Sequence, residues 1–389
     1  MATSYWLDRS SDHKAKTFDI LIVGGGITGA STAFWLKKED PNLKIAILEK
    51  SRLAFGASGR NAGFITCGSV EHFNRMVSKH GEAQALEIWK FAETNMSLLK
   101  EHIIENEKSL EFEQRGAYSL AAESAEFNEL KSVAQLMNRL NIGNEVLGSD
   151  QVEKRLGAFG FEGGIRYLKD GAINPYKLVK KIFDKSGCEF FDQTEVFAIE
   201  SSTAGDRIVK TDNGVFHASI VVLCTNGYSG NLSSYFKDKI YPTRGQIMMV
   251  EPVEPFMDGP CYANFYLDYF RQLADGSLLI GGFRQLEKET EVGYSDHITD
   301  VIQSALHDFV QKHLPRFKDK KITHRWAGIM GFSQDGEPMI GALPEDNQVF
   351  FCGGFTGHGI GLAFHSGKCL SDLIFGHPIP EWISARRFP

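Results

Sequence analysis

The chain has 389 residues, 42 Lys and Arg against 49 Asp and Glu (net charge −7), and 42% hydrophobic residues including 29 Phe. That length predicts two domains with a sizeable core and excludes a disordered chain, and an acidic balance without a basic block argues against nucleic acid as a partner. No apolar run approaches the ~20 residues of a membrane span, and the opening MATSYWLDRSSDHKAKT lacks a signal-peptide core, so a cytoplasmic protein without a membrane span is expected. The cysteines, at 67, 188, 224, 261, 352 and 369, lie far apart without paired ligand spacing. They read as reduced thiols, and no metal site is expected.

FDILIVGGGITGASTAFWLKK passes from an apolar stretch, Phe18 to Val23, through glycines into a pattern that puts Ile27, Ala30, Ala33 and Phe34 on one helical face. LKIAILEK follows after Pro41-Asn42, completing a strand–helix–strand unit of about thirty residues. SRLAFGASGRNAGFITCGS is a second glycine-rich loop. After it come a helical pattern from Glu71 to about Asn106, a strand pair in FEQRGAYSLAA, and a helix from Ser124 to Leu140. Asp170-Gly171 marks a turn, and Pro175 suits a first helical turn, where its missing N–H costs nothing. CEFFDQTEVFAIESS, RIVKTDNGVFHASIVVLCTNG and QIMMVEP read as strands, the second turning at Asp212-Asn213-Gly214. FYLDYFRQLADGSLLIGGF is a hairpin through Ala274-Asp275-Gly276, and ITDVIQSALHDFVQKHLPRF a helix stopped near Pro315. FFCGGFTGHGIGLAFHSGKCLSDLIFG passes a third time from strand through glycines into helix.

Gly24-Gly25-Gly26-Ile27-Thr28-Gly29 fits G-x-G-x-x-G after a strand and at the start of a helix. Gly24 permits the tight turn, Gly26 lets backbone approach a pyrophosphate, and Gly29 lets helix and strand pack closely. The helix start offers N–H groups and a positive dipole end to phosphates. Glu49 stands twenty residues past Gly29 at the end of the next strand. A carboxylate there accepts hydrogen bonds from ribose hydroxyls and repels a 2′-phosphate. Together these features predict a dinucleotide site.

The second loop decides between dinucleotides. Glu49, Lys50, Arg52, Gly56-Ala57-Ser58-Gly59-Arg60-Asn61 and Ala62-Gly63 form a spacing that resembles the D-amino acid oxidase/sarcosine oxidase family of flavoproteins. In that family this stretch runs along the FAD pyrophosphate to the flavin ring. The resemblance continues through Glu195-Val196, through IVVLCTNGYS with Thr225 and Gly227, and through Gly357, His358, Gly359 and Ile360. It spans nearly the whole chain.

The resemblance implies an α/β fold (α+β overall). A Rossmann-like FAD-binding domain would comprise residues 16–85, 150–235 and 325–389, with a mostly antiparallel-sheet substrate domain from 86–149 and 236–324 inserted into it. It implies oxidation of a C–N bond in an amine or amino-acid-like substrate, hydride passing to flavin N5 and leaving an imine that hydrolyses. O2 or a quinone would accept the electrons, an oxidase being favoured over a dehydrogenase. A D-amino acid or N-methyl amino acid dehydrogenase is the alternative within enzymes, and a tRNA-modifying flavoprotein, which needs a basic face, the alternative outside that class. Relatives that hold FAD covalently use a cysteine near Trp326–Ile329 or a histidine near the Ser58 loop. Neither is present here, so non-covalent FAD is expected.

Within the family, FYLDYFRQLADGSLLIGG, HRWAGIMGFSQDGEPMIGALP and the opening TSYWLDRS are more similar to the gamma-glutamylputrescine oxidase-like branch than to glycine or sarcosine oxidases. Amino-acid-oxidising members carry an arginine for the substrate carboxylate where this chain has Met330. A thioether cannot make that bidentate contact. Either the substrate lacks an α-carboxylate or another cation holds it; alternatively, Met330 only fills a core gap. Arg271 is the expected substitute cation, with Tyr266 and Tyr269 expected on one strand face as an aromatic wall or core cover. His358 is expected to shape the flavin site without acting as a base, and Arg244 to brace a turn or the flavin surroundings. Arg325 and Trp326 are equally open between pocket and core.

Overall fold

The computed structural model describes residues 16–105, 107–264 and 268–388; the TSYWLDRS motif, Asn106 and Tyr266 lie outside them. Strand β1 (Lys16–Val23), helix α1 (Ile27–Glu39) and strand β2 (Ile45–Leu48) form the unit read from the fingerprint, with Val23 paired to Leu48 in parallel. All of β2 and the last four residues of β1 are buried, as expected of parallel strands covered on both faces. Their sheet runs Met339–Leu343, Asp346–Gly353, Gly214–Leu223, β1, β2, Glu189–Phe191. It is parallel except for its Met339–Leu343 edge. Val196–Ser201 and Arg207–Thr211 extend it as an antiparallel ribbon, turning at Asp212-Asn213.

The C-terminal helix Gly359–Ile374 packs across α1. Close approach is possible because Gly367 has no side chain: a Cβ there would lie 2.7 Å from Ser31 Cβ. The helix Val70–Leu99 is capped by the Ser69 hydroxyl, which accepts the His72 N–H, and kinks at Gly81 with φ 80°. A wider turn continues it to Ile104.

The second sheet has eight strands in the order Ile322–Ser333, Ile240–Val250, Leu278–Gly281, Asp268–Gln272, Cys261–Ala263, Ala117–Ala121, Gly163–Tyr167, Asn144–Gly148. All its pairs are antiparallel except Cys261–Ala263 with Ala117–Ala121. FEQRGAYSLAA is therefore one strand, not the expected pair; its partners come from distant segments, and Gly116 (φ 83°) breaks the chain before it. Gly163–Tyr167, inside the expected FAD-binding segment 150–235, pairs in this second sheet, and so does Ile322–Ser333, which spans the expected boundary between 324 and 325. Among the described residues no helix is long and apolar enough to cross a membrane, and all six cysteines are free thiols.

Arg244 pairs with Glu291 at 2.7 Å, their side chains only 3% and 1% exposed, and Gln246 also donates to Glu291. Arg244 thus braces the segment after Leu278–Gly281 against the Ile240–Val250 strand. Removing one member of such a pair strands a buried charge and costs about 3–5 kcal/mol. Glu291→Ala should lose that much in denaturant unfolding, whereas a loss below about 1 kcal/mol would show the pair to be a dispensable contact.

Candidate active site

The first turn of α1 is set by contacts that exclude a side chain. Gly24 adopts φ 111°, and a Cβ on it would fall 2.7 Å from Cys224 O; a Cβ on Gly29 would fall 2.0 Å from Gly24 O. Ser58 Oγ accepts the Ile27 N–H at 2.9 Å. Thr28 and Gly29 stand in the first turn, where backbone N–H groups have no intrahelical acceptor. Glu49 takes the Gly25 N–H on one carboxylate oxygen (2.8 Å) and the Ser51 N–H on the other (2.9 Å). A carboxylate offers about four acceptor positions, so two remain.

These residues open onto a cavity of about 730 Å³ between the two sheets. Of the residues singled out in the sequence, Gly24, Gly26, Ile27, Thr28, Glu49, Lys50, Ser58, Arg60, Asn61, Ala62, Val196, Thr225, Gly227, Gly357, His358, Gly359 and Ile360 line it, as do Tyr269 and Met330. A second helix N-terminus, that of Gly359–Ile374, therefore faces the same space as α1. Asn61 ties its own loop together, donating to Ala57 O and Ser58 O and accepting the Gly63 N–H. Arg60 pairs with Asp296 at 2.7 Å and donates to Ala327 O, while Lys50 lies 4.0 Å above the Tyr228 ring.

The floor on the second sheet is paved with glycines. Gly245 and Gly328 are directly opposed. Met330 Cε lies where a Gly245 Cβ would come within 2.9 Å, Arg60 Cβ within 3.1 Å of a Gly328 Cβ, and the Tyr269 hydroxyl within 2.5 Å of a Gly281 Cβ. The three side chains are thus seated on the sheet at positions without Cβ. Tyr262 and Phe64 continue the wall, with rings 5.3 Å apart at 76° and the Tyr262 hydroxyl 2.6 Å from Thr66 Oγ1. Burial raises the Tyr262 and Tyr269 phenols above their ordinary value, so both stay protonated.

His358 stacks on buried His72 with centroids 4.3 Å apart. Burial drives the His358 imidazole down to about 4 and His72 well below its usual value, so both are neutral. His358 Nδ1 is 3.1 Å from Thr356 O. A carbonyl only accepts, so Nδ1 carries the proton and Nε2 the lone pair.

Arg271, Arg52, Gly29 and Gly63 stand apart from this cavity. Arg271 shares a strand face with Tyr269, but the Gly63 loop covers it. Its Nη2 donates to Ile173 O at 3.0 Å, and burial lowers its guanidinium to about 10. Gly63 (φ 74°) fits beneath it, where a Cβ would meet Ile173 O at 2.0 Å. Arg52 lines a neighbouring cleft with Arg325 and Trp326, and Trp326 Nε1 donates to Arg60 O. Tyr266 lies outside the described residues, and a spacing of three along a strand does not by itself put two side chains on one face, so the shared aromatic wall does not follow from the sequence. Sequence reasoning missed Arg75, Tyr262, Arg284, Tyr294 and Phe332, all of which line the cavity. The signal available for Arg284 was the Gly281-Gly282 break at the end of an apolar strand.

Comparison with known proteins agrees with this geometry. The chain is 26% identical to "Probable oxidoreductase OrdL" of Rhizobium meliloti, covering 92% of this chain and 83% of the relative. It is 24% identical to gamma-glutamylputrescine oxidoreductase of Escherichia coli, covering 92% and 84%. The crystal structure of glycine oxidase from Geobacillus kaustophilus shares the fold with a TM-score of 0.81 at 22% identity, over 94% of this chain and 96% of that one. Residues 19–373 match the DAO family of FAD dependent oxidoreductases, and the chain belongs to that family.

Proposed function

We propose that the cavity holds FAD without a covalent bond and that the protein oxidises the C–N bond of an amine or amino-acid-like substrate. The observation that carries this reading is the convergence of two helix N-termini and the Glu49 carboxylate on one cavity of about 730 Å³, within the usual range for cofactor pockets. The residues fit the group. Gly26 lines the cavity and has no Cβ where one would lie 2.8 Å from Ser58 Oγ, so the missing side chain lets the Ser58 loop close onto the helix start. The two remaining acceptor positions on Glu49 suit ribose hydroxyls.

In this reading Gly24, Gly26, Ile27, Thr28, Glu49, Lys50, Ser58, Arg60, Asn61 and Val196 hold the adenosine and phosphate half. Thr225, Gly227 and the 357–360 turn hold the flavin half. When bound, the flavin supplies the two-electron acceptor for the C–H bond beside nitrogen. The protein's own residues position and dry the reacting group. Phe64, Tyr262, Tyr269 and Met330 enclose it in apolar and aromatic surface, which excludes water and favours a neutral amine. His358 Nε2, unprotonated at neutral pH, accepts an N–H and helps orient the nitrogen lone pair. Met330, half-buried above Gly245, presents a thioether where an α-carboxylate would need a cation.

Three outcomes follow. Acid precipitation should release the flavin as one intact FAD per chain; yellow protein in the pellet would contradict non-covalent binding. Glu49→Gln removes the charge from the ribose contacts, each worth about 1.5–3 kcal/mol. Its FAD dissociation constant should rise about tenfold or more, and an unchanged constant would make Glu49 a strand-end charge only. Under anaerobic conditions, putrescine and gamma-glutamylated amines should bleach the flavin at least about a hundredfold more efficiently than glycine, sarcosine or D-alanine, since one lost buried ionic contact costs several kcal/mol. The reverse order would show that another group binds the α-carboxylate.

A further inference from the structure

Gly63 divides the second glycine-rich loop. Asn61, Ala62 and Phe64 line the cavity, whereas Gly63 between them faces Arg271: a Cβ on it would come within 3.1 Å of Arg271 Nη2 and 2.0 Å of Ile173 O. Three hydrogen bonds run in series from this loop to the second sheet. The Gly63 N–H donates to Asn61 Oδ1 at 2.7 Å, the Ile173 N–H donates to Gly63 O at 2.8 Å, and Arg271 Nη2 donates to Ile173 O at 3.0 Å. Asn61 also donates to the Ala57 and Ser58 carbonyls, so the series ends at the residue whose hydroxyl reaches the start of α1. At its other end, Arg271 stands two residues from cavity-lining Tyr269 in the Asp268–Gln272 strand.

We propose that Arg271 is a positioning residue: through Ile173 and Gly63 it fixes the cofactor loop, residues 57–64, against the sheet that carries Tyr269, and so sets how tightly the cavity closes on the dinucleotide. The inference rests on the reading of the cavity as an FAD site.

An arginine suits this place poorly if packing is its only task. Its guanidinium carries five N–H groups. Arg271 is 9% exposed, its Nε has no partner, and among the described residues no carboxylate forms an ion pair with it. Glu111 and Glu113, whose charges favour its protonated form, are engaged by Lys177 and Arg115. Burying a cation in this way costs free energy that an apolar side chain of similar size would not. An apolar side chain, however, offers no donor to Ile173 O, the carbonyl on which Gly63 rests without room for a methyl group. Ala62 and Leu279 pack beside this contact in a small buried cluster that Phe64 and Tyr269 join. That cluster brings loop and sheet together, and the guanidinium adds the directional bond that fixes their register.

The test compares wild type, Arg271→Met and Arg271→Lys as purified holoproteins. Amide hydrogen exchange is followed in peptides, and FAD release on dilution is read from flavin fluorescence. Arg271→Met should speed both FAD release and exchange in residues 57–64 about tenfold or more, leaving exchange in β1 and the Val70–Leu99 helix unchanged. Arg271→Lys, which keeps a charged donor, should recover part of both losses. Unchanged exchange in 57–64, faster exchange throughout the chain alike, a loosened loop that releases FAD at the wild-type rate, or no recovery in Arg271→Lys would overturn the proposal. Wild-type protein that takes up no FAD, with a loop that Arg271→Met still loosens selectively, would overturn the reading of the cavity and keep the hold of Arg271 on the loop.

Discussion

The structure depends on one contact that a methyl group would destroy. Gly29 packs against the carbonyl of Gly24 so closely that a Cβ would sit 2.0 Å from its oxygen. This approach fixes how α1 leaves β1 and therefore where its unpaired N–H groups point. Ser58 reaches the first of those groups, which anchors the second glycine-rich loop to the helix start. Glu49 closes the arrangement by accepting from Gly25 and Ser51. The fingerprint thus orients three chain segments around one space as well as permitting a turn.

The opposite wall follows the same rule from the other sheet. A strand interior loses stability with glycine, so glycines there mark close approach. Gly245, Gly281 and Gly328 each seat another residue's side chain, Met330, Tyr269 and Arg60 in turn. Asn226 (φ 48°) joins the two remaining glycine loops by accepting the Gly354 N–H. The cavity is an interface between two sheets held apart by a few chosen side chains.

The α1 turn, Glu49, the Ser58–Asn61 loop and the 357–360 turn were legible in the sequence because each is local: glycine spacing, a strand end or a helix start declares it. Arg271 misled because being two positions from Tyr269 on one strand face says nothing about what covers that face. The Gly63 loop covers it, through a contact between residues more than two hundred positions apart. Tyr262 and Phe332 were illegible for the same reason, and the Gly281-Gly282 break that marks Arg284 does not say what it meets. Their meeting depends on the order of the second sheet, where Ala117–Ala121 pairs with Cys261–Ala263 and Ile240–Val250 with Ile322–Ser333. Arg244 looked like a loop residue beside Pro242, and only the fold reveals Glu291 as its buried partner.

The central claim is that one continuous cavity takes the whole dinucleotide, from the Glu49 end to the His358 end. The most direct test is the affinity of the flavin-free protein for FAD against FMN, followed by flavin fluorescence. In the proposed reading Glu49 holds the ribose of the AMP half, which FMN lacks, and two charge-assisted contacts there are worth about a hundredfold or more. The account predicts FAD binding tighter than FMN by at least that factor. Equal affinities would contradict it.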